Sequence, residues 1–281
     1  MNAAKYRFSV FDVFIILFTL FFILLFLFPV YIAVLTALKS PLELAQSILA
    51  FPKQVYWDNF REGLAKSNFL RSLLNSVLVT FPSVVGIVIV SSMGGYAICR
   101  YGKRYWDIGK MEKVFLASLM LPFQILMIPV YRMFRNLGML NTRWGAILFE
   151  IGYSTAYATF LYIGFVKTVP KELEEAALLD GCNPYQSFFR VVFPLLAPIN
   201  STVAVLHIMW IWNDFNIALI LLQKDSVRTL TVKQYYFFGE HSANYGMAFA
   251  ASIICMIPIL IVFAMMQKSL VEGITAGSVK S

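Results

Sequence analysis

The chain has 281 residues, of which 59% are hydrophobic, 16% aromatic and only 14% charged. A soluble domain of this length carries about 25% charged residues, so the deficit excludes an ordinary soluble enzyme and places the chain in a bilayer, whose interior cannot solvate charge. The net charge of +8 is scattered between apolar spans rather than gathered on one face. That pattern argues for loop residues near lipid headgroups and against a nucleic-acid surface.

A helix that crosses the hydrocarbon core needs about 20 mostly apolar residues. Six segments qualify, at 13–38, 73–98, 114–134, 147–165, 195–222 and 247–266. Lys5 and Arg7 precede the first as they would a signal peptide, but its apolar run exceeds the roughly 7–15 residues of a signal core. It reads as a retained anchor. The 39–71 connection holds Pro41, Pro52, Trp57 and Phe60 and reads as a polar, partly folded segment. Pro29, Pro82, Pro122, Pro129 and Pro258 fall within the spans, where each removes a backbone donor and bends its helix. No internal repeat or low-complexity tract interrupts the chain, so one membrane domain over 1–281 is expected, with core spans at about 70–268 and a tail at 268–281.

An even number of spans puts both termini on one side. The 23 basic residues divide almost evenly between the two sides, and the short 100–113 loop tips the balance toward a cytoplasmic N-terminus. The fold class predicted is an all-α integral membrane protein with six transmembrane helices.

Cys99, Cys182 and Cys255 are far apart, and His207 and His241 are the only histidines, so neither a disulfide scaffold nor a metal centre is expected. No Gly-x4-Gly-Lys-Ser/Thr phosphate loop, zinc-protease pattern or nucleophile elbow is present. No catalytic residue and no cofactor are assigned to this chain.

Between the fourth and fifth spans lies a charged island, Glu174-Glu175-Ala176-Ala177-Leu178-Leu179-Asp180-Gly181, followed by Phe193-Pro194. Thr168 before Val169-Pro170 reads as a helix start. Glu172, Glu174 and Glu175 then fall near the positive end of the helix dipole. Asp180-Gly181 supplies the stop, and Asn183-Pro184 opens a second helix. Ala176 and Ala177 keep the first helix slim, so its acidic edge suits a cleft with an arginine fork. A solvated amphipathic surface helix is the plainer alternative.

In the fifth span His207, Trp210 and Asp214 are spaced by three and four residues, on one helical face, with Asn213 and Asn216 nearby. Trp210 would stack on a flat face of a solute while Asn213 or Asp214 bonds its polar groups. Interhelical hydrogen bonding and a packed indole explain the same residues, and the same holds for Glu150, Gln124 and Asn75. Intramembrane Glu150, His207 and Asp214 also leave open an ion-coupled secondary transporter.

The island resembles the "EAA" loop of bacterial ABC importer permeases. Glu175-Ala176-Ala177 and Gly181 match its spacing, Val191 takes its later hydrophobic position, and Phe193-Pro194 stands where Leu-Pro is usual. Ser40-Pro41 with Glu43, Asn59-Phe60, Asn75-Ser76, Leu121-Pro122, Pro129 and the stretch from Gly138 to Thr142 are similar to corresponding parts of carbohydrate importers. The end, from Glu272 to Lys280, resembles the tail of the maltose-type second permease subunit. The chain is thus identified as resembling a carbohydrate ABC importer permease, closest to that six-span partner.

The resemblance implies a permease that is half of a heterodimer with a second, non-identical permease. Two ATPase subunits carrying ATP and Mg, an extracytoplasmic sugar-binding protein and membrane lipid would complete the setting, with no nucleic acid. Glu174, Glu175, Ala176, Ala177, Asp180, Gly181 and Pro194 would form the cytoplasmic coupling helix and its exit. Glu175 would meet an ATPase arginine, and Thr275, Ala276 and Gly277 would reach between the ATPases. Trp210, Asn213, Asp214 and Asn216 remain possible residues of the substrate path. The implied setting is a multi-pass protein of the bacterial inner or plasma membrane with both termini in the cytoplasm.

Overall fold

The computed structural model describes residues 10–240 and 244–278, with side chains at 10–239, 244–265 and 267. Every regular element described is helical. In chain order these are α1 Val10–Ala37, α2 Pro41–Gln46, α3 Asp58–Ser67, α4 Phe69–Tyr101, α5 Trp106–Ser118, α6 Phe123–Asn136 and α7 Arg143–Val166. The second half holds α8 Glu172–Leu179, α9 Pro184–Ser187, a π turn Phe188–Val192, α10 Phe193–Leu195, α11 Ala197–Asn213, α12 Asn216–Leu221, α13 Leu230–Glu240 and α14 Tyr245–Ser278.

Four helices are long and apolar enough to cross a membrane, namely α1, α4, α7 and the Tyr245–Met265 part of α14. Two bent pairs raise the number to six if each counts as one span. The 114–134 segment, read as one span, is two helices, α5 and α6, meeting at 109°. Proline disfavours helical backbone in the residue before it, and Pro122 itself sits in extended geometry as the N-cap of α6. The chain therefore leaves the helix at Leu119 and re-enters it at Phe123. The 195–222 segment is likewise interrupted, by a 76° bend ahead of α11 and by Asp214, which is extended and ends that helix.

The chain divides into two compact units. In the unit of Met1–Asn68 and Gln234–Met256, α1 leaves nearly all its side chains up to Val30 outward, as expected of a helix dissolved in lipid. The polar connection that follows is folded by buried hydrogen bonds. Ser40 caps α2 through the Glu43 amide. Lys39, 1% exposed, donates to the carbonyls of Ser47 and Ile48 at 2.9 and 2.8 Å. Asn59 donates to those of Ala37 and Lys39, fastening α3 to the end of α1.

The unit of Phe69–Lys233 and Ile257–Ser281 is built on α4 lying along α7, with α11 against both. Small residues on α4 permit the close approach. A Cβ at Gly95 would come within 2.5 Å of the Tyr162 Cβ and 3.2 Å of the Thr159 carbonyl. At its other end α4 holds the loop after α12 by main-chain atoms. Asn75, fully buried, donates to the Ser226 and Arg228 carbonyls and accepts from Arg143 Nε. Arg71 also donates to the Ser226 carbonyl, and Ser76 accepts from the Leu230 amide. The polar residue at 75, read from sequence as a structural hydrogen bonder or a path residue, is occupied by this clasp.

In the same loop Asp225 Oδ1 lies 2.6 Å from Nζ of Lys233, on α13, and 3.3 Å from Arg228 Nη1. The Lys233 hydrogen bond outweighs the opposing effect of burial and holds the Asp225 carboxyl below its ordinary value. A lowered folded value means that the pair contributes stability above the unfolded pKa of about 3.9 and loses it as pH falls through the folded one. Half-exposure of Asp225 limits the contribution to about 1 kcal/mol or less. Thermal melts of wild type and Asp225→Asn in detergent are therefore expected to differ modestly at neutral pH and to converge in strong acid.

Candidate functional site

The charged island folds as a helical elbow. Helix α8 begins at Glu172, not at Thr168, whose hydroxyl instead donates to the Phe165 carbonyl and finishes α7. Glu172, Glu174 and Glu175 occupy the first turn, where the dipole favours them. The helix closes in a Schellman arrangement: the Gly181 amide donates to the Leu178 carbonyl and the Cys182 amide to that of Ala177. Gly181 has φ +87°, a conformation that costs L-residues about 1–2 kcal/mol. Two residues on, Asn183 and Gln186 form a complete capping box, with Pro184 in the first turn of α9.

The π turn delivers Phe193 onto the Phe188 carbonyl. Pro194, exposed in α10, and Pro198, in the first turn of α11, then withhold two donors on either side of the bend. Asn200 stabilises that bend. Its amide donates to the Phe193 carbonyl at 3.3 Å, and its oxygen accepts from Tyr162 on α7 at 2.8 Å.

The acidic residues of α8 are in different environments. Glu174 points inward, where Arg100 Nε and Nη2 stand 2.7 and 2.6 Å from Oε1 and the Tyr96 hydroxyl donates to Oε2 at 2.9 Å. Sequence reasoning did not connect these residues. The spacing of Tyr96 and Arg100 by four at the end of α4 places them on one face but does not name their partner. Glu175, Ala176 and Asp180 face outward, as do Leu178 and Leu179, the latter 89% exposed. Glu175 makes no side-chain hydrogen bond or ion pair within the described residues. Ala177 is buried under the helix. The loop therefore presents a carboxylate, an alanine step and two leucines on one side while being pinned on the other.

The fifth-span residues separate similarly. His207 is fully buried; its Nδ1 faces the Val203 carbonyl at 2.8 Å, and Nε2 has no hydrogen-bond partner among the described residues. Trp210 is half exposed and packs on Tyr157 and His207, with ring centroids 5.1 Å apart in each case. Asn213 bonds back to Met209 of its own helix, and Asn216 lies exposed in the first turn of α12. Asp214 has left the helical face: its carboxylate receives the Ile217 and Ala218 amides and so caps α12. Glu150 is buried on α7, within electrostatic reach of Asp214. Among the described residues no cluster of His, Cys, Asp and Glu could hold a metal. Thr275, Ala276 and Gly277 continue α14 by backbone; their side chains, and Lys280, lie outside the described residues.

The family model "Binding-protein-dependent transport system inner membrane component" matches residues 111–275, a stretch that includes the elbow. The chain belongs to this family: it is the permease subunit of an ABC transporter, a multi-pass inner-membrane protein whose ATPase is a separate subunit. It is 35% identical to the "Probable starch degradation products transport system permease protein AmyC" of Thermoanaerobacterium thermosulfurigenes, over 92% of this chain and 93% of that one. It is 35% identical to the "Melibiose/raffinose/stachyose import permease protein MelC" of Bacillus subtilis, over 90% and 91%. In fold it matches a chain of a bacterial ABC transporter involved in the import of the acidic polysaccharide alginate, with TM-score 0.78, 22% identity, and coverage of 95% and 98%. Family membership decides against the ion-coupled secondary transporter.

Proposed function

We propose that this chain forms half of the translocation pathway of an ATP-driven sugar importer, together with a second, non-identical permease. Two ATPases dock from the cytoplasm, an extracytoplasmic binding protein delivers the sugar, and both termini face the cytoplasm. A single membrane domain over 1–281 carries this role. Relatives named for starch degradation products and for melibiose, raffinose and stachyose support the cargo class. The observation that carries the docking assignment is the outward edge of α8, where Glu175 and Ala176 are exposed and the Glu175 carboxylate has no partner among the described residues. In this reading Glu175 meets an ATPase arginine. Ala176 and Asp180 fill the cleft, Ala177 packs beneath the helix, Gly181 and Pro194 shape the elbow, and Thr275, Ala276 and Gly277 reach toward the ATPases.

A cysteine at Ala176, in a background with Cys182 replaced by serine, tests the docking. Thiol cross-linking in the assembled complex is expected to join it to the ATPase. Labelling from the outer face of the membrane, or attachment to no other polypeptide, would overturn the assignment.

On the path, Trp210 offers the exposed stacking surface, with Asn213 and Asn216 as neighbouring hydrogen-bonding groups. Asp214 serves mainly to cap α12. Trp210→Ala is expected to lower uptake about two- to tenfold, the scale of one aromatic contact, with little change in melting temperature. Asp214→Ala is expected to do the reverse, costing about 0.5–2 kcal/mol of stability as a lost cap. Uptake in proteoliposomes beside thermal melts separates the two; equal uptake by wild type and Trp210→Ala would remove Trp210 from the path.

A further inference from the structure

We propose that Glu174, Arg100 and Tyr96 form a strut through which movement of α8 is passed to α4. They act as positioning residues, separate from the outward-facing Glu175, and the inference rests on the docking of α8 to an ATPase proposed above.

Both carboxylate oxygens of Glu174 are engaged from α4. Oε1 faces Arg100 Nε and Nη2 at 2.7 and 2.6 Å, and Oε2 accepts from Tyr96 at 2.9 Å. The same Nη2 also donates to the Val169 carbonyl at 2.7 Å, in the linker between α7 and α8. One guanidinium thus ties α4, the linker and α8 together.

The fork makes this attachment directional. A planar guanidinium holds an oxygen and a neighbouring carbonyl in fixed geometry, which a lysine ammonium does not reproduce. The side chains of Arg100 and Glu174 are only 8% and 10% exposed, so water competes little for their hydrogen bonds. Stability alone gives no reason for charge here, since well-packed apolar residues commonly replace a buried ion pair without loss. An apolar contact slides, whereas a hydrogen-bonded fork resists both rotation and translation. The remaining link from α8 back to α7 is the short 167–171 linker, whose Val169 carbonyl the same arginine holds. Because α4 lies along α7 and against α11, a displacement of α8 reaches those membrane helices through this joint, beside the route through α9 and the π turn on which α8 also packs.

The test measures ATP hydrolysed per sugar imported by the complete, reconstituted transporter bearing Glu174→Gln, Arg100→Lys or Tyr96→Phe. Assembled Glu174→Gln and Arg100→Lys complexes are expected to raise that ratio about tenfold, within the range of ordinary coupling energies, and Tyr96→Phe less. Hydrogen exchange of the α8 amides should quicken while that of α7 is retained. A merely structural role would reduce the amount of assembled complex and leave the ratio per complex at the wild-type value; that outcome overturns the strut. Arg100→Lys keeps the charge, so if Glu174→Gln fails to assemble, an unchanged ratio in Arg100→Lys still overturns it and a raised one supports it. The Ala176 cross-link, measured in the same preparations, separates the two levels. Its absence from the Ala176→Cys, Cys182→Ser background without strut substitutions removes the docking reading, whereas its presence with unaltered ratios removes the strut alone.

Discussion

Glu175→Ala is expected to lower sugar uptake about ten- to hundredfold in the complete transporter while the subunit still inserts and assembles. Its carboxylate is exposed and makes no side-chain hydrogen bond or ion pair among the described residues, so truncation strands no buried group there and the fold has little to lose. At a docked interface the account differs. A hydrogen bond to a charged partner contributes about 1.5–3 kcal/mol, and removing one side strands the other charge. Gly181→Asp reaches the same end by a different route. Among the described residues, chain neighbours aside, no atom lies within 4 Å of a Cβ built at this glycine, so the cost is conformational and arises from its φ of +87°. Relaxing it would break the hydrogen bonds that the amides of 181 and 182 donate to close α8 and would turn the outward edge. Uptake in proteoliposomes, with membrane insertion checked separately, decides the matter; normal transport by both variants would remove the loop assignment.

The second large effect is expected at Gly95, where a single added methyl should be costly. Gly95→Ala places a carbon 2.5 Å from the Tyr162 Cβ and 3.1 Å from the Ile163 nitrogen. Backbone cannot step aside as a side-chain tip can. Overpacking costs about 1–3 kcal/mol, and here it forces α4 from α7 where their backbones meet. Tyr162 also carries the hydroxyl that fastens Asn200 at the bend before α11, so the disturbance should spread to the elbow. The neighbouring Gly94 is the control: its Cβ would sit 3.4 Å from Thr159 Oγ1, and Gly94→Ala should melt near wild type. Equal melting temperatures for the two variants would show that the helices do not pack as described.

The apolar runs and the elbow were readable from sequence because each rests on a local rule. Span length follows from bilayer thickness, and Asn183-Pro184 and Gly181 reveal themselves by capping chemistry. The bend at Pro122 was less visible. Proline in an apolar run signals a kink, yet whether the helix merely bends or turns by 109° depends on what packs around it. Glu174 and Glu175 are adjacent and chemically identical in the chain, and only α4 distinguishes them, by presenting Arg100 and Tyr96 to one of the pair. Asp214 illustrates the same limit. Its spacing from His207 and Trp210 presumes an unbroken helix, and the α12 amides draw it off that face.

The clasp after α12 has an evolutionary corollary. Asn75 and Arg71 take hold of the Ser226 and Arg228 segment by peptide oxygens, which every amino acid supplies. The Ser226 position can therefore change its side chain freely without loosening the fastening. Descendants of such a permease are free to experiment with new chemistry on this stretch while its anchorage stays the same.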